Sequence, residues 1–273
     1  MKHAFFVILF AITSFLHGVK NPVFKARTFS SLNGTSAHHF DKRTKKMVEL
    51  FEHNYHEKLG LVHDGFSKAK IPHILHFVWK GQDPLSNTII EHLDTWKTSH
   101  ADWKIKLWTD VHCRKCPVPG IEVLYTPDLS LLFPFKVLFE EGGVFVDSSF
   151  FCYRSFNCLL VFDFFACLEY SHFYNNSSLD IFPSLALFAA KPSHPIIAHT
   201  MALAESQEIH QAFSTACRKY LNHKGNQDMV LPACYFFADK LFPQEAFSYL
   251  LNEGCVFARD LEAHLTHRLA EAK

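Results

Sequence analysis

Glu140-Glu141-Gly142-Gly143-Val144-Phe145-Val146-Asp147-Ser148-Ser149 decides the reading of this chain. Two glycines predict a tight turn, three apolar residues a short buried strand, and a carboxylate stands at the end of that strand. In an α/β sheet, ligands gather at the carboxyl ends of strands. An acid placed there can hold a metal that holds a phosphate. Only one carboxylate is present, where such metal sites usually want two.

The flanking sequence supplies the rest of an α/β pattern. Ile74–Trp79 predicts a strand, Asn87–Ser99 a helix with Ile89, Ile90, Leu93 and Trp96 on one face. Lys104–Trp108 and Ile121–Tyr125 predict further strands. Leu129–Glu141 predicts an apolar-faced helix that Pro134 kinks or begins. Downstream, Leu159–Leu168 is very apolar and its Phe162-Asp163-Phe164-Phe165 reads as strand, as does Ser184–Ala190; Ser193–Ala204 and residues 205–223 read as helices, and Leu231–Phe242 is rich in aromatics. Met47, Leu50, Phe51, Tyr55 and Leu59 give residues 42–60 a helical spacing that docks on the main domain. The expected fold class is α/β, a mostly parallel central sheet flanked by helices, with an N-terminal helical segment.

Composition bounds the function. The chain has 273 residues with 27 basic and 27 acidic side chains, so there is no basic footprint for nucleic acid. Its 29 Phe imply cores packed with aromatic rings. Lys2 and His3 precede an apolar run from Ala4 to Leu16, which reads as a signal peptide or short anchor. The expected organisation is residues 1–19 as that segment, 20–69 as linker and helix, and 70–273 as one domain. Membrane anchoring through residues 4–19, or secretion, is the expected localisation. Cys113-Arg114-Lys115-Cys116 has no second half of a zinc motif, which favours a disulfide or two plain thiols. No Gly-x-Ser-x-Gly elbow is present, and Asp163 and Glu169 have no spacing that would place them across a glycosidic bond, which disfavours a hydrolase. Asn33-Gly34-Thr35 and Asn176-Ser177-Ser178 are glycosylation acceptors in a eukaryotic host.

Four segments, in order, resemble a sugar-transferring family that carries an Asp-any-Asp motif and includes initiating mannosyltransferases of yeast type and large clostridial glucosylating toxins. Ile71-Pro72-His73-Ile74-Leu75-His76-Phe77-Val78-Trp79-Lys80-Gly81 resembles its opening strand. His100-Ala101-Asp102-Trp103 with Leu107-Trp108-Thr109-Asp110 resembles the next segment. Phe135 to Asp147 resembles its helix, Gly-Gly turn and strand, and Ala189-Ala190-Lys191-Pro192-Ser193-His194-Pro195 a later segment. The resemblance spans about 125 residues and fades before residue 70 and after about 200.

This resemblance implies a nucleotide-sugar-binding fold of the GT-A type and transfer of a sugar from a nucleotide-sugar donor to a glycan, lipid or protein acceptor, with retention of configuration. Trp79 would stack on the base and Gly81 would lie beside it. Gly142 and Gly143 would let the backbone approach the donor. Asp147 would act as the first acid of the motif and, with Ser149, hold a divalent cation, Mn2+ by expectation. The Asp and Arg that grip the donor sugar in the family fall on Leu131 and Pro134, so Asp128 and Lys136 are the replacements at hand. These lost charges also fit a second reading, a catalytically degenerate module that binds without transferring. Location follows the same logic: a Golgi-type lumenal enzyme if the source is eukaryotic, an exported protein if bacterial.

Overall fold

The computed structural model describes residues 42–63, 68–81, 84–112, 115–169, 182–233, 235–237 and 257–260. The elements in chain order are α1 (Lys42–His63), β1 (Ile74–Trp79), α2 (Asn87–Ser99), β2 (Lys104–Thr109), β3 (Ile121–Tyr125), α3 (Phe133–Glu140), β4 (Gly143–Val146), β5 (Phe150–Cys152), β6 (Phe164–Leu168), β7 (Pro183–Ala190), α4 (Pro195–Leu203), α5 (Ile209–Tyr220), β8 (Asp228–Leu231) and β9 (Ala258–Asp260). Seven strands form one sheet in the order β3-β2-β1-β4-β7-β6-β8, and β5 pairs with β9 in a small antiparallel sheet. The pairs β1–β2, β2–β3, β1–β4 and β6–β8 are parallel. Only β7 runs against its neighbours β4 and β6. The α/β class with a mostly parallel, helix-flanked sheet is what the sequence leads one to expect.

Strand order explains where a site can form. The chain lays β1, β2 and β3 outward in one direction, then returns through α3 to place β4 on the other side of β1. The ends of β1 and β4 therefore lie side by side at one carboxyl edge, and the connection leaving β4 passes through β5, which packs against α2, the connection leaving β1. β4 is buried at every position, as a central strand covered on both faces should be.

Aromatic packing joins the layers. Phe135 of α3 stacks on Phe188 of β7, and both meet Phe213 of α5. On the other face Phe77 of β1 meets Trp96 of α2, and Trp96 meets Phe156. Rings in these tilted and edge-to-face geometries contribute beyond the area they bury. α1 belongs to the same core: Met47, Val48, Phe51 and Tyr55 are buried in it. Asn54 of α1 also covers the backbone of edge strand β8, donating to Asp228 O (2.8 Å) and accepting from Val230 N–H (3.1 Å). An amide side chain thus takes the place of a missing neighbouring strand.

Several element boundaries differ from expectation for local reasons. The α3 helix begins at Phe133 rather than Leu129, because Asp128 first turns the chain by accepting from Ser130 N–H, and Pro134 then sits in the first turn, where its missing N–H costs nothing. Strand β6 begins at Phe164, two residues after the expected start at Phe162, and a 3-10 turn at Asn157–Leu159 precedes it. Helix α4 starts at Pro195 under a His194 cap, two residues later than expected. Residues 205–223 contain α5 only from Ile209 to Tyr220. Strand β8, four fully buried residues, has no counterpart among the expected elements. The segment 1–19, the linker 20–41 and both glycosylation triplets lie outside the described residues, as does Cys113. Cys116 is a free thiol. Among the described residues no helix is long and apolar enough to cross a membrane.

Candidate functional site

Parallel register brings the ends of β1, β2 and β3 level. Trp79 pairs with Thr109, and Thr109 with Tyr125. Trp79 is half-buried, its inner edge packed on the core. The loop after β1 is tied to the loop after β2, because Gly81 N–H donates to Asp110 Oδ1 (2.9 Å). Beyond β3, exposed Asp128 pairs with exposed Lys136. Hydrogen bonds from the Lys136 ammonium and from Ser130 hold the Asp128 carboxyl down at about 2. Asp128 and Lys136 thus lie near this edge but satisfy each other.

Asp147 follows β4 at the same edge. Its backbone N–H donates to Ala186 O (2.8 Å), extending the β4–β7 ladder by one step. Its side chain turns the chain: Oδ1 accepts from Ser149 N–H (2.8 Å), and its carbonyl accepts from Phe150 N–H (3.1 Å). Asp147 is 4% exposed, and Ser148 and Ser149 are equally enclosed. An Asp in this role is an Asx turn, which short carboxylates adopt readily.

Helix α2 fixes that turn from behind. His92 donates from Nδ1 to Ser148 O (3.1 Å), Trp96 donates from Nε1 to Phe150 O (2.7 Å), and Thr95 Oγ1 accepts from Cys152 N–H (3.0 Å). Residues 92, 95 and 96 share one helical face by their spacing of three and four. Sequence reasoning found the apolar members of this face and missed the polar ones. It also missed Asp110 as the pin of the Gly81 loop. A polar residue inside an apolar stripe is the signal that could have found His92 and Thr95.

Gly142 and Gly143 do not belong to this edge. They enter β4 at its amino end, so Gly143 and Asp147 stand four residue steps apart, about 13 Å at the usual rise. Both have positive φ, +69° and +108°. A Cβ on Gly142 would sit 2.7 Å from Pro192 Cδ, and one on Gly143 would sit 2.7 Å from Ile74 O and 3.0 Å from His76 Nε2. Both glycines are required by packing at this end of the sheet.

No protein-family model matches this sequence, and no curated protein does. Solved structures do. The chain is similar to the PaToxG glycosyltransferase, with a TM-score of 0.45 and 14% identity over 65% of this chain and 78% of that one. It is also similar to a transferase solved as a double cysteine-to-serine mutant, with a TM-score of 0.41 and 10% identity over 57% of this chain and 86% of that one.

The chemistry available at the edge can be stated from its groups. Trp79 offers an aromatic face, Asp147 and Asp110 offer hydroxyl-binding carboxylates, and Lys80 offers an exposed ammonium. A resident divalent cation does not fit the donor set. Hard cations take six or more oxygen ligands, with carboxylates leading. Here Asp147 already spends Oδ1 on its own turn, Ser149 brings no charge, and among the described residues no three His, Cys, Asp or Glu side chains gather.

Proposed function

We propose that this protein binds a nucleotide-sugar donor at the carboxyl edge of β1 and β4 and transfers the sugar to a glycan, lipid or protein acceptor, with retention of configuration. One observation carries this reading. The segments that resemble the sugar-transferring family lie far apart in sequence, and two of its strands, β1 ending at Trp79 and β4 running into Asp147, are parallel neighbours in the sheet. Trp79 stacks on the base, an interaction worth about 1–3 kcal/mol for bases on aromatic side chains. Gly81, held to Asp110, fixes the loop beside it. Asp147, at the end of β4, is the carboxylate that accepts hydrogen bonds from ribose or sugar hydroxyls. Delivery of such an enzyme through residues 4–19, to a membrane or an exported location, is part of the same proposal.

Titration calorimetry of the purified protein with UDP and GDP tests the donor site, and release of free sugar from UDP- and GDP-sugars tests turnover. Binding that Trp79→Ala weakens about tenfold or more supports the site. A folded protein that binds neither nucleotide refutes it.

A second reading has a specific observation in its favour: Asp147 is engaged in capping its own turn. On this reading the fold binds a nucleotide or glycan without transfer. Asp147→Asn separates the two. It abolishes turnover in an enzyme, whereas a binding module shows no turnover before or after the change.

A further inference from the structure

We infer that the donor site works without a resident divalent cation, and that the Lys80 ammonium supplies the positive charge that the diphosphate requires. This rests on the nucleotide-sugar reading above.

A nucleoside diphosphate brings at least two negative charges to the sheet edge, and more charge develops on it when the sugar leaves. Something positive must face it in a partly desolvated crevice. The usual means is a cation held by two acids, and here only one of the two positions is an acid. Asp147 Oδ1 accepts Ser149 N–H at 2.8 Å, so the first acid points one oxygen into its own turn. The second position is Ser149, a neutral hydroxyl in the same turn. Among the described residues, other carboxylates near this edge are also engaged, Glu169 by Leu185 N–H among them. Asp110 Oδ1 holds Gly81 N–H, and Asp128 holds Lys136. No set of three acidic or metal-binding side chains assembles among the described residues.

The protein's own cations divide just as clearly. Lys136 is neutralised by Asp128. Lys70 and Lys191 are bound to Asp163 at the opposite edge of the sheet. Lys80 is different. It lies between Trp79 and Gly81, is exposed, and forms no ion pair among the described residues. The residues on both sides of it are held, Trp79 by β1 and Gly81 by Asp110, so the backbone that presents the ammonium is fixed. Lys80 follows Trp79 directly in the chain, on the loop that Asp110 pins through Gly81. Lys suits the role, because its three donors on a flexible stem serve as a point charge for phosphate.

The test is calorimetric titration of the full chain with whichever of UDP and GDP it binds, once in EDTA and once in Mn2+. The expected affinities agree within about twofold. Lys80→Gln should weaken binding about tenfold or more, the loss expected for one hydrogen bond to a charged group, and Lys80→Arg should keep most of it. The exposed position of Lys80 predicts an unchanged thermal midpoint in both variants, which separates lost binding from lost fold. Affinity that rises tenfold or more with Mn2+ overturns the cation-free site. Affinity unchanged by Lys80→Gln overturns the role of Lys80. Absence of binding to either nucleotide in EDTA and in Mn2+ refutes the donor-site reading itself, an outcome distinct from both.

Discussion

The two edges of the sheet are built on opposite principles. At the amino edge, every buried polar group closes on another. Asp163 joins Lys70 and Lys191, each at 2.8 Å, and accepts Gln227 N–H. His194 donates from Nε2 to Asp228 Oδ1 (3.0 Å) while its Nδ1 accepts Ile196 N–H, and Asp228 Oδ2 accepts Asn222 N–H. Burial raises the Asp163 carboxyl, yet the bonds from Lys191 and Lys70 outweigh it and leave its pKa lowered. At the carboxyl edge, Trp79 and Asp110 are only half-buried, Lys80 is exposed, and the turn at Asp147 is held from behind by α2. A satisfied network fixes structure. Half-exposed groups on a fixed frame can meet a ligand. The comparison assigns structure to the amino edge and function to the carboxyl edge, and three perturbations test it.

The largest effect is expected from Gly143→Ala, at the amino edge. The new methyl would meet a backbone carbonyl, Ile74 O, at 2.7 Å, where no side chain can step aside, and φ of +108° is strained for any residue with a Cβ. We expect a loss of about 3–5 kcal/mol, enough to unfold most of a marginally stable domain. Circular dichroism and a urea melt will show it. A variant with wild-type stability would mean that the glycine pair is not a packing device.

The second effect is on pH dependence. His76 on β1 is 1% exposed; its Nδ1 accepts from Trp108 Nε1–H (3.2 Å) and its Nε2–H donates to Gly142 O (2.9 Å). His100 is fully buried; its Nδ1–H donates to Trp96 O and its Nε2 accepts Phe156 N–H. Each ring needs one unprotonated nitrogen. Burial, opposed by the backbone bonds, lowers both to about 4 from the ordinary 6.5. The unfolded chain therefore binds more protons than the folded one between about pH 6.5 and 4. Stability is intact above that window and falls as pH drops through it, by about 3 kcal/mol per histidine. Urea midpoints at pH 7.5 and 4.5 measure the drop. Replacing His100 by Gln should remove about half of it, and an unchanged drop would show that other groups dominate.

Legibility in the sequence followed the same division. Strands β1 and β3 and helix α2 were readable to the residue because each combines strong periodicity with a clear stop, Gly81 after β1 and Ser86 before α2. Asp147 was readable as a strand-end acid, but its engagement in a turn was not, because an Asx turn and a ligand-binding Asp look alike until the bonded N–H is known. The glycine pair was readable as a turn, but its packing constraints were not. Its constraints come from Pro72, Ile74 and Pro192, residues distant in sequence that only the fold brings together. Strand β8 escaped because four buried residues carry no period, and its partner in edge pairing is a side chain of α1.

The smallest effect is expected at the exposed margin of the carboxyl edge, and it bears on whether Asp128 and Lys136 replace the lost donor-gripping residues. They pair with each other at the surface, each about half exposed. Such a pair contributes at most about 1 kcal/mol in water. Lys136→Gln should therefore move the urea midpoint very little, and salt should erase the difference. Its effect on nucleotide affinity is the sharper measurement. If the pair closes on itself, as its geometry indicates, UDP or GDP affinity stays within about twofold of wild type while Lys80→Gln weakens it strongly. A comparable loss in both variants would show that a donor pulls Lys136 away from Asp128, which would extend the functional edge from β1 and β4 across to the start of α3.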